Sequence, residues 1–557
     1  MSGVLLSENP VSRPARRGYT VSYKGKTLLS TIDPVSQSER IAAGITRRDR
    51  TLYFCPSPLL GYGLDTLLSL ISKDSAILCV ETDEQLFALS RSSIKEEILD
   101  NSSIALTGIS NSTQLCRFVR EKWGARVFRR IEQVKLSGGW QLDQNYEIMA
   151  EFLQKDIALD WGNAMTLVKL GRRFTRNVIR NLSLFNKALP VTQLQFGTKP
   201  VLVLGAGPSL DKVLDSFQEK GLFDLDKDRR PFVLICVDTC LTILRERKIV
   251  PDLTVVLESQ FWNLHDFAGS GNTQIPVAAD FSAYPGSLKL LNGPLFFFFT
   301  PWTPLRLFDR LKTAGFLPPV FPPLGSVSLS AVELAKRFGS GPVICAGIDF
   351  SFSFDSQHAR SSPSRLDALL IQNRFSSPFN LEAVFRNGVF TVFSKSKVPV
   401  KSDPAMRNYR DLFEREFSDP RIKDINGSGL PLGQETLDIN DAYIILAANN
   451  STQNQTMQTE EKEQCKKSTR LADFMKNEKT QLEKLRSILS GDTIQDDTSV
   501  LDQLLDDADY LWAHFPDCAG TEGRRPLASD ITFLKRVRAE LDPFITIWEL
   551  AEREIER

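Results

Sequence analysis

The residues best able to do chemistry lie in Val201-Leu-Val-Leu-Gly205-Ala206-Gly207-Pro208-Ser209-Leu210. An apolar run passes into a turn with two glycines, and a helix is expected to start at Ser209. Glycines let a backbone approach a ligand closely. The first turn of a helix offers a phosphate unpaired N–H groups and the positive end of a dipole. Pro208 suits that first turn, where its missing N–H is no loss. Ser209 can cap the helix or give its hydroxyl to the anion. Leu210 stands where the dinucleotide fingerprint has its third glycine, so this is a different motif. The chemistry expected of Gly205, Ala206, Gly207, Pro208 and Ser209 is the holding of a nucleotide phosphate.

Other candidates follow at strand ends and in polar loops. Asp238 ends the run PFVLICVD, at the carboxyl edge where open α/β sheets bind ligands. It is expected to contact a ribose or base, or else to cap a turn. Asp349 ends VICAGIDF on the same edge, two residues after Gly347, and His358 lies nine residues further on between Gln357 and Arg360. A neutral imidazole there takes a proton from a hydroxyl, whereas a cationic one holds a phosphate. His265 follows Trp262 and Asn263 and reads as a rim contact, while His514, between Trp512 and Phe515, reads as packing. Asn177 and Asn181 share one helical face beside Arg172, Arg176 and Arg180. That face lies either against an anionic pocket, as a rim, or in solvent.

These residues need a scaffold, and the chain is long enough to supply one. Its 557 residues suggest roughly three domains. Hydrophobic residues make up 42% and charged residues 24%, the balance of a globular protein. The 68 Lys and Arg cancel the 68 Asp and Glu, which argues against a general nucleic-acid binder. Eight scattered cysteines and three histidines, without a CxxC pair, give the pattern of a reduced cytoplasmic protein with no metal centre. The N-terminal residues are broken by Pro10 and Pro14 and do not read as a leader. No apolar run has the length of a membrane span.

A β-hairpin is expected over Tyr19–Thr31, with Gly25 in its turn. TLYFCPS, GYGLDTLLSLI and AILCVETD then read as strand, helix and strand, the βαβ layout of a parallel sheet that continues to about residue 155. A glycine turn followed by the strand-end acids Glu81 and Asp83 resembles half of a nucleotide-binding or methyltransferase fold, although a structural role suffices for it. Residues 164–188 read as a joining helix. A second series starts at Pro200, with strands in VLVLGAG, PFVLICVD, LTVVLES, IPVAAD, PLFFFFT and PVICAGIDF, and helices over Ser209–Lys220 and Ser328–Phe338. Asn449–Gln464 is polar and reads as a linker, and a helical tail follows it. The fold class expected is α/β. A hairpin and a smaller Rossmann-like domain span 1–160, a Rossmann-like central domain spans 161–448, and a linker with a helical region spans 449–557.

GAGPSL resembles the phosphate-binding turn of bacterial CMP-sialic-acid sialyltransferases and of two related families, the motility-associated-factor (Maf) flagellin glycosyltransferases and the 6-hydroxymethylpterin diphosphokinase MptE-like proteins. Three further segments match in order. PFVLICVDTCLTILRERKIVPDLTVVLES resembles the strand, helix and second strand after the turn. GSVSLSAVELAKRFGSGPVICAGIDFSF, from Gly325, resembles their glycine-serine loop, helix and strand end. Tyr409 with RDLFEREF and INGSGLPL resembles their closing segment. Glu258 departs from the pattern, standing where these families are expected to carry an aspartate.

The resemblance implies an inverting transfer of a nonulosonic acid from a CMP-sugar donor to serine or threonine of flagellin. The nucleotide would lie on Gly205–Ser209, Asp238, Gly325 and Ser326. His358 and Asp349 would act on the acceptor, and Asn177, Asn181, Glu258, His265 and Tyr409 would stand at the rim. No resident cofactor is implied, and CMP-sugar and flagellin are the partners. Two alternatives stay open. One is an ATP-dependent pterin diphosphokinase, with Mg²⁺ on Asp238, Glu258 or Asp349. The other is a non-catalytic binding protein of flagellar assembly.

Overall fold

Short runs rich in valine, isoleucine and leucine form the strands, and their period of two sends alternate side chains to opposite faces. The computed structural model describes residues 9–124, 126–375, 381–448, 461–491, 498–519 and 525–556. At the start, β1 (Val11–Pro14), β2 (Tyr19–Tyr23) and β3 (Lys26–Thr27) form a small antiparallel sheet. Lys24 and Gly25 close its expected hairpin in the left-handed region, with φ 48° and 73°.

A four-stranded parallel sheet follows, built of β4 (Thr51–Pro56), β5 (Ala76–Val80), β6 (Ile104–Thr107) and β7 (Arg130–Gln133) in the order β6-β5-β4-β7. Leu52, Phe54, Leu78 and Val80 pack with Leu115, Val119 and Met149 on one face, whereas Tyr53, Cys55, Ile77 and Cys79 pack with Leu64, Leu67 and Ile98 on the other. Burial on both faces explains why these strands read as unbroken apolar runs. The glycines of GYG serve the turn itself: Gly61 and Gly63 have φ 74° and 83°, and a Cβ on Gly63 would lie 2.7 Å from the Ser38 carbonyl oxygen.

The larger sheet takes β8 (Leu189–Pro190), β9 (Val201–Leu204), β10 (Val233–Val237), β11 (Leu253–Val256), β12 (Val277–Asp280), β13 (Leu295–Phe298) and β14 (Val343–Ala346). After a hairpin of β15 (Phe390–Phe393) and β16 (Pro399–Ser402), it adds β17 (Ile422–Ile425) and β18 (Glu435–Leu437). Its order is β18-β17-β14-β9-β10-β11-β12-β13-β8, and every pair is parallel. The chain therefore walks outward from β9 to β13 and then returns to the other side of β9. That reversal makes the carboxyl ends of β9 and β14 the topological switch point of the sheet. The helix Val327–Phe338 lies under the sheet, where Leu329, Val332 and Leu334 pack on Val203, Ile235, Val255 and Cys345.

The chain forms two compact units. One holds residues 1–171 and 512–527, and the other holds 172–511 and 528–557. The division falls at residue 171 inside the single helix Asn145–Phe185, which begins earlier than the helix read at 164–188. Apart from residues 512–527, the helical tail is part of the second unit. Its helices Glu461–Ser490 and Ile531–Glu556 join the sheet's surroundings through Arg310–Glu478 (2.6 Å), Arg172–Glu540 (2.6 Å) and Ser183–Glu554 (2.8 Å). Of the linker read at 449–464, residues 449–460 lie outside the described residues, and 461–464 begin the first tail helix. Among the described residues no helix is long and apolar enough to cross a membrane.

Candidate functional site

Most of the candidate residues come to the carboxyl edge of the larger sheet, but they do not form one constellation. The glycine turn is the clearest case. Ser209 donates its N–H to Asp349 Oδ2 at 2.7 Å and its hydroxyl to Asp349 Oδ1 at 2.5 Å. The acceptor expected to be a phosphate is thus a carboxylate of the same chain. Asp349 caps the helix Leu210–Glu219 from β14, and Ser209 makes no side-chain cap of its own. A helix N-terminus welcomes a carboxylate for the same reason that it welcomes a phosphate.

The glycines make that closure possible. A Cβ on Gly207 would stand 2.5 Å from Asp349 Oδ2 and 2.6 Å from the Gly347 carbonyl oxygen, and one on Gly205 would stand 2.7 Å from that same carbonyl. Gly429 closes the far side, where a Cβ would lie 2.6 Å from Asp349 Oδ1. The loop bearing His358 is pinned here as well, since the Ala359 N–H donates to the Ala206 carbonyl at 2.9 Å. The close approach read from GAGPSL is real, but what approaches is backbone. Asp349 is 3% exposed and accepts from Ser209 on both oxygens, so it is buried against the turn and not open to an acceptor. Burial raises its carboxyl above the usual range, opposed by the Ser209 donors and by Lys395.

His358 lies beside this turn. Its Nδ1 is 3.2 Å from Ser364 Oγ, and burial lowers its pKa from the ordinary histidine value. Burial disfavours its charged form, which fits a proton acceptor better than a phosphate-holding cation. His265 is half-exposed and its Nδ1 faces Asp367 at 3.4 Å. Glu258 is exposed and accepts the Gln260 N–H at 2.8 Å. Asn177 and Asn181 are buried beneath the edge instead of standing at a rim. Their amides donate to the carbonyls of Ser259, Ser282, Phe281 and Ala283, each at 2.9 Å, and so tie the helix to the ends of β11 and β12.

Gly325 and Ser326 remain accessible. Gly325 has φ 67°, and a Cβ there would meet Tyr409 Cε1 at 3.0 Å, so the tyrosine ring lies on this turn. Ser326 precedes the helix Val327–Phe338 without a side-chain cap bond. This helix end faces the carboxyl edge, because its chain next enters β14 in parallel with the rest of the sheet.

Asp238 sits at the end of β10, 4% exposed, within a group that sequence reading did not assemble. Asn263 donates from Nδ2 to Asp238 Oδ2 at 2.7 Å and to Asp266 Oδ2 at 3.1 Å. Burial first, and then the Asp266 charge, pushes Asp238 up to about 7. Burial likewise pushes Asp266 up to about 6. Nothing in the run FWNLHDF distinguishes Asp266 from an ordinary loop aspartate.

Magnesium, expected for the diphosphokinase alternative, would be held by Asp238, Glu258 or Asp349. Asp349 is committed to Ser209, and the described residues offer no group of three or more His, Cys, Asp or Glu placed to hold a metal ion.

Residues 172–355 match the family described as 6-hydroxymethylpterin diphosphokinase MptE-like. A protein of Treponema pallidum (strain Nichols) is 29% identical over 565 residues, covering 96% of this chain and 94% of its own. Among solved structures, a MAf glycosyltransferase from Magnetospirillum magneticum AMB-1 is similar in fold, with a TM-score of 0.51 and 14% identity. That similarity covers 99% of this chain and 91% of the other.

Proposed function

We propose, from the premise that residues 172–355 form an MptE-like domain within a chain of Maf-glycosyltransferase fold, that this protein is a glycosyltransferase. In its finer form, the reading is a cytoplasmic enzyme that moves a nonulosonic acid from a CMP-sugar to serine or threonine of flagellin, with inversion. The observation that carries it is the extent of the fold correspondence. It runs over 99% of this chain, while the MptE-like match spans only the central segment. A diphosphokinase acting on a small pterin alcohol has no use for the first unit or the tail helices, whereas an enzyme with a protein acceptor does. Fold sets the class, and the chemistry must come from the site.

In this reading the donor phosphate lies at the open N-terminus of the helix Val327–Phe338, on the Gly325–Ser326 turn. Preorganised N–H groups there stabilise the charge that develops as the phosphate leaves. Asp238 faces the nucleoside at the end of β10, and His358 stands across the turn. The glycine turn at Gly205–Ser209 acts as a rigid floor.

CMP is expected to raise the melting temperature by a few degrees. A ligand at 100 times its Kd adds about 2.7 kcal/mol to stability. ATP with Mg²⁺ should give no comparable shift. The reverse result, with transfer of diphosphate to a pterin alcohol, would move the protein to the diphosphokinase reading.

A further inference from the structure

We infer that the first unit carries a binding site of its own, for a single sugar ring, in a cavity at the carboxyl edge of its four-stranded sheet. The order β6-β5-β4-β7 means that the chain steps from β4 out to β6 and then returns to the other side of β4. This smaller sheet therefore has its own topological switch point, where open α/β sheets take their ligands. A cavity of about 200 Å³ lies at this edge. Glu81, Thr82 and Asp83 line it from the loop after β5, Asp143 and Tyr146 from the segment after β7, and Lys24 from the hairpin. Drug-sized ligands need about 300–1,000 Å³, so this cavity takes one ring.

The lining mixes acceptors, a donor and apolar surface. Asp143 accepts the Thr82 hydroxyl at 2.9 Å and the Asn145 N–H at 2.8 Å, about half of what a carboxylate can accept. The Thr82 oxygen keeps its own lone pairs. Lys24 Nζ donates to Asp83 Oδ2 at 2.8 Å, and its other N–H groups stay available. Leu86 and Leu142, packed in one cluster, supply an apolar wall. Glu81, 1% exposed, is held in place by the hydroxyls of Ser57 at 2.6 Å and Tyr146 at 2.8 Å.

A sugar ring matches this mixture, because each of its hydroxyls both donates and accepts while its C–H face is apolar. A phosphate accepts only, and here it would meet the carboxylates of Glu81, Asp83 and Asp143 against the single ammonium of Lys24. An amine cation donates only and would meet that ammonium. Among the described residues no group of three or more His, Cys, Asp or Glu is placed to hold a metal ion. Spacing points to ribose in particular. Dinucleotide folds hold the ribose with an acid about 20 residues past their glycines, and Asp83 stands about that far past Gly63. The phosphate half of that pattern is absent. A Cβ on Gly61 would lie 2.7 Å from Ile94 Cγ1, and one on Gly63 would lie 2.7 Å from the Ser38 carbonyl oxygen, so this chain already takes the close approach a pyrophosphate would need. What remains is recognition of the ring, borne by a nucleoside or by a free monosaccharide.

The test uses the full chain in excess CMP, so that nucleotide binding in the second unit is not what is measured. Saturation-transfer NMR follows adenosine, 2′-deoxyadenosine and galactose. Adenosine should bind with a Kd of about 1 mM or tighter. The deoxynucleoside, which lacks one hydroxyl of the diol, should bind at least about tenfold more weakly. Asp143→Asn keeps an acceptor for the Asn145 N–H, and Lys24→Met alters an exposed side chain. Each should weaken adenosine by about tenfold with the circular dichroism spectrum unchanged. Should either variant fail to fold, the comparison of the two nucleosides on the parent protein decides. Galactose binding with the same sensitivity to the variants, in place of adenosine, would keep the site and make its ligand a free sugar. Binding of neither ring, equal affinity for the two nucleosides, or adenosine binding that both variants leave unchanged would overturn the inference. Binding of inorganic phosphate that Lys24→Met abolishes would overturn it as well.

Discussion

Lys395→Met is expected to destabilise the second unit by about 3–5 kcal/mol at neutral pH, the usual cost of stranding one member of a buried ion pair. Lys395 Nζ donates to Asp424 Oδ2 at 2.6 Å and to the Ile425 carbonyl at 3.0 Å. The two side chains are 4% and 2% exposed, so solvent cannot replace either partner. The same ammonium also faces Asp349, the carboxylate that holds the glycine turn shut. Asp424 remains raised to about 6, because burial outweighs the attraction of Lys395. Between its ordinary 3.8 and that value the folded protein keeps a proton that the unfolded chain has released, so this group's contribution falls as pH rises through that window. Without Lys395 the carboxyl is pushed higher still, and the variant's deficit should widen from pH 5 to pH 8. Urea unfolding at the two pH values measures this. Equal deficits at both would mean that the pair is not what Lys395 supports, while recovery in Lys395→Met/Asp424→Leu would identify the stranded charge as the cause.

The second large effect concerns the glycine turn. Gly207→Val should cost about 3 kcal/mol, the upper end for forcing extra volume into a packed site. Its first added atom alone would lie 2.5 Å from Asp349 Oδ2 and 2.6 Å from the Gly347 carbonyl, and neither a backbone carbonyl nor a carboxylate held by two donors can give way easily. Loss of stability without added ligand is the outcome to look for in thermal unfolding. Gly162→Ala provides the contrast, since it has nothing within 4 Å and an ordinary helical φ. It should be neutral or stabilising by up to about 1 kcal/mol. A stable Gly207→Val that fails only to bind nucleotide would return the turn to its role as a phosphate cradle.

Much of the architecture was legible because it depends on local pattern. The six strands read between Pro200 and Phe350 all form, and the βαβ layout from Thr51 forms a parallel sheet, since apolar runs of that length bury on both faces wherever helices cover them. Strand-end acids were harder. Asp238, Asp280 and Asp349 all close apolar strands at the carboxyl edge, yet Asp280 and Asp349 bind backbone N–H and hydroxyl groups of their own chain. Asp238 instead meets a second carboxylate through Asn263. A strand-end aspartate looks the same in sequence whether its partner is a neighbouring loop or a ligand.

The sequence alone determined what is local: the parallel sheets, the glycine turn after β9, the helix that follows it and the position of each acid along its strand. Those features rest on the side-chain period and on backbone freedom, which operate within a few residues. Tertiary structure decided which groups those elements meet. Asp349 reaches the turn from 140 residues away and takes the place read for a phosphate. Asp266 joins Asp238 only because β10 and β11 are neighbours. The tail helices join the central unit through ion pairs that no spacing announces. Hydrogen bonds and charges between distant segments depend on which strands adjoin and on which atoms are left dry, and only the folded chain fixes those.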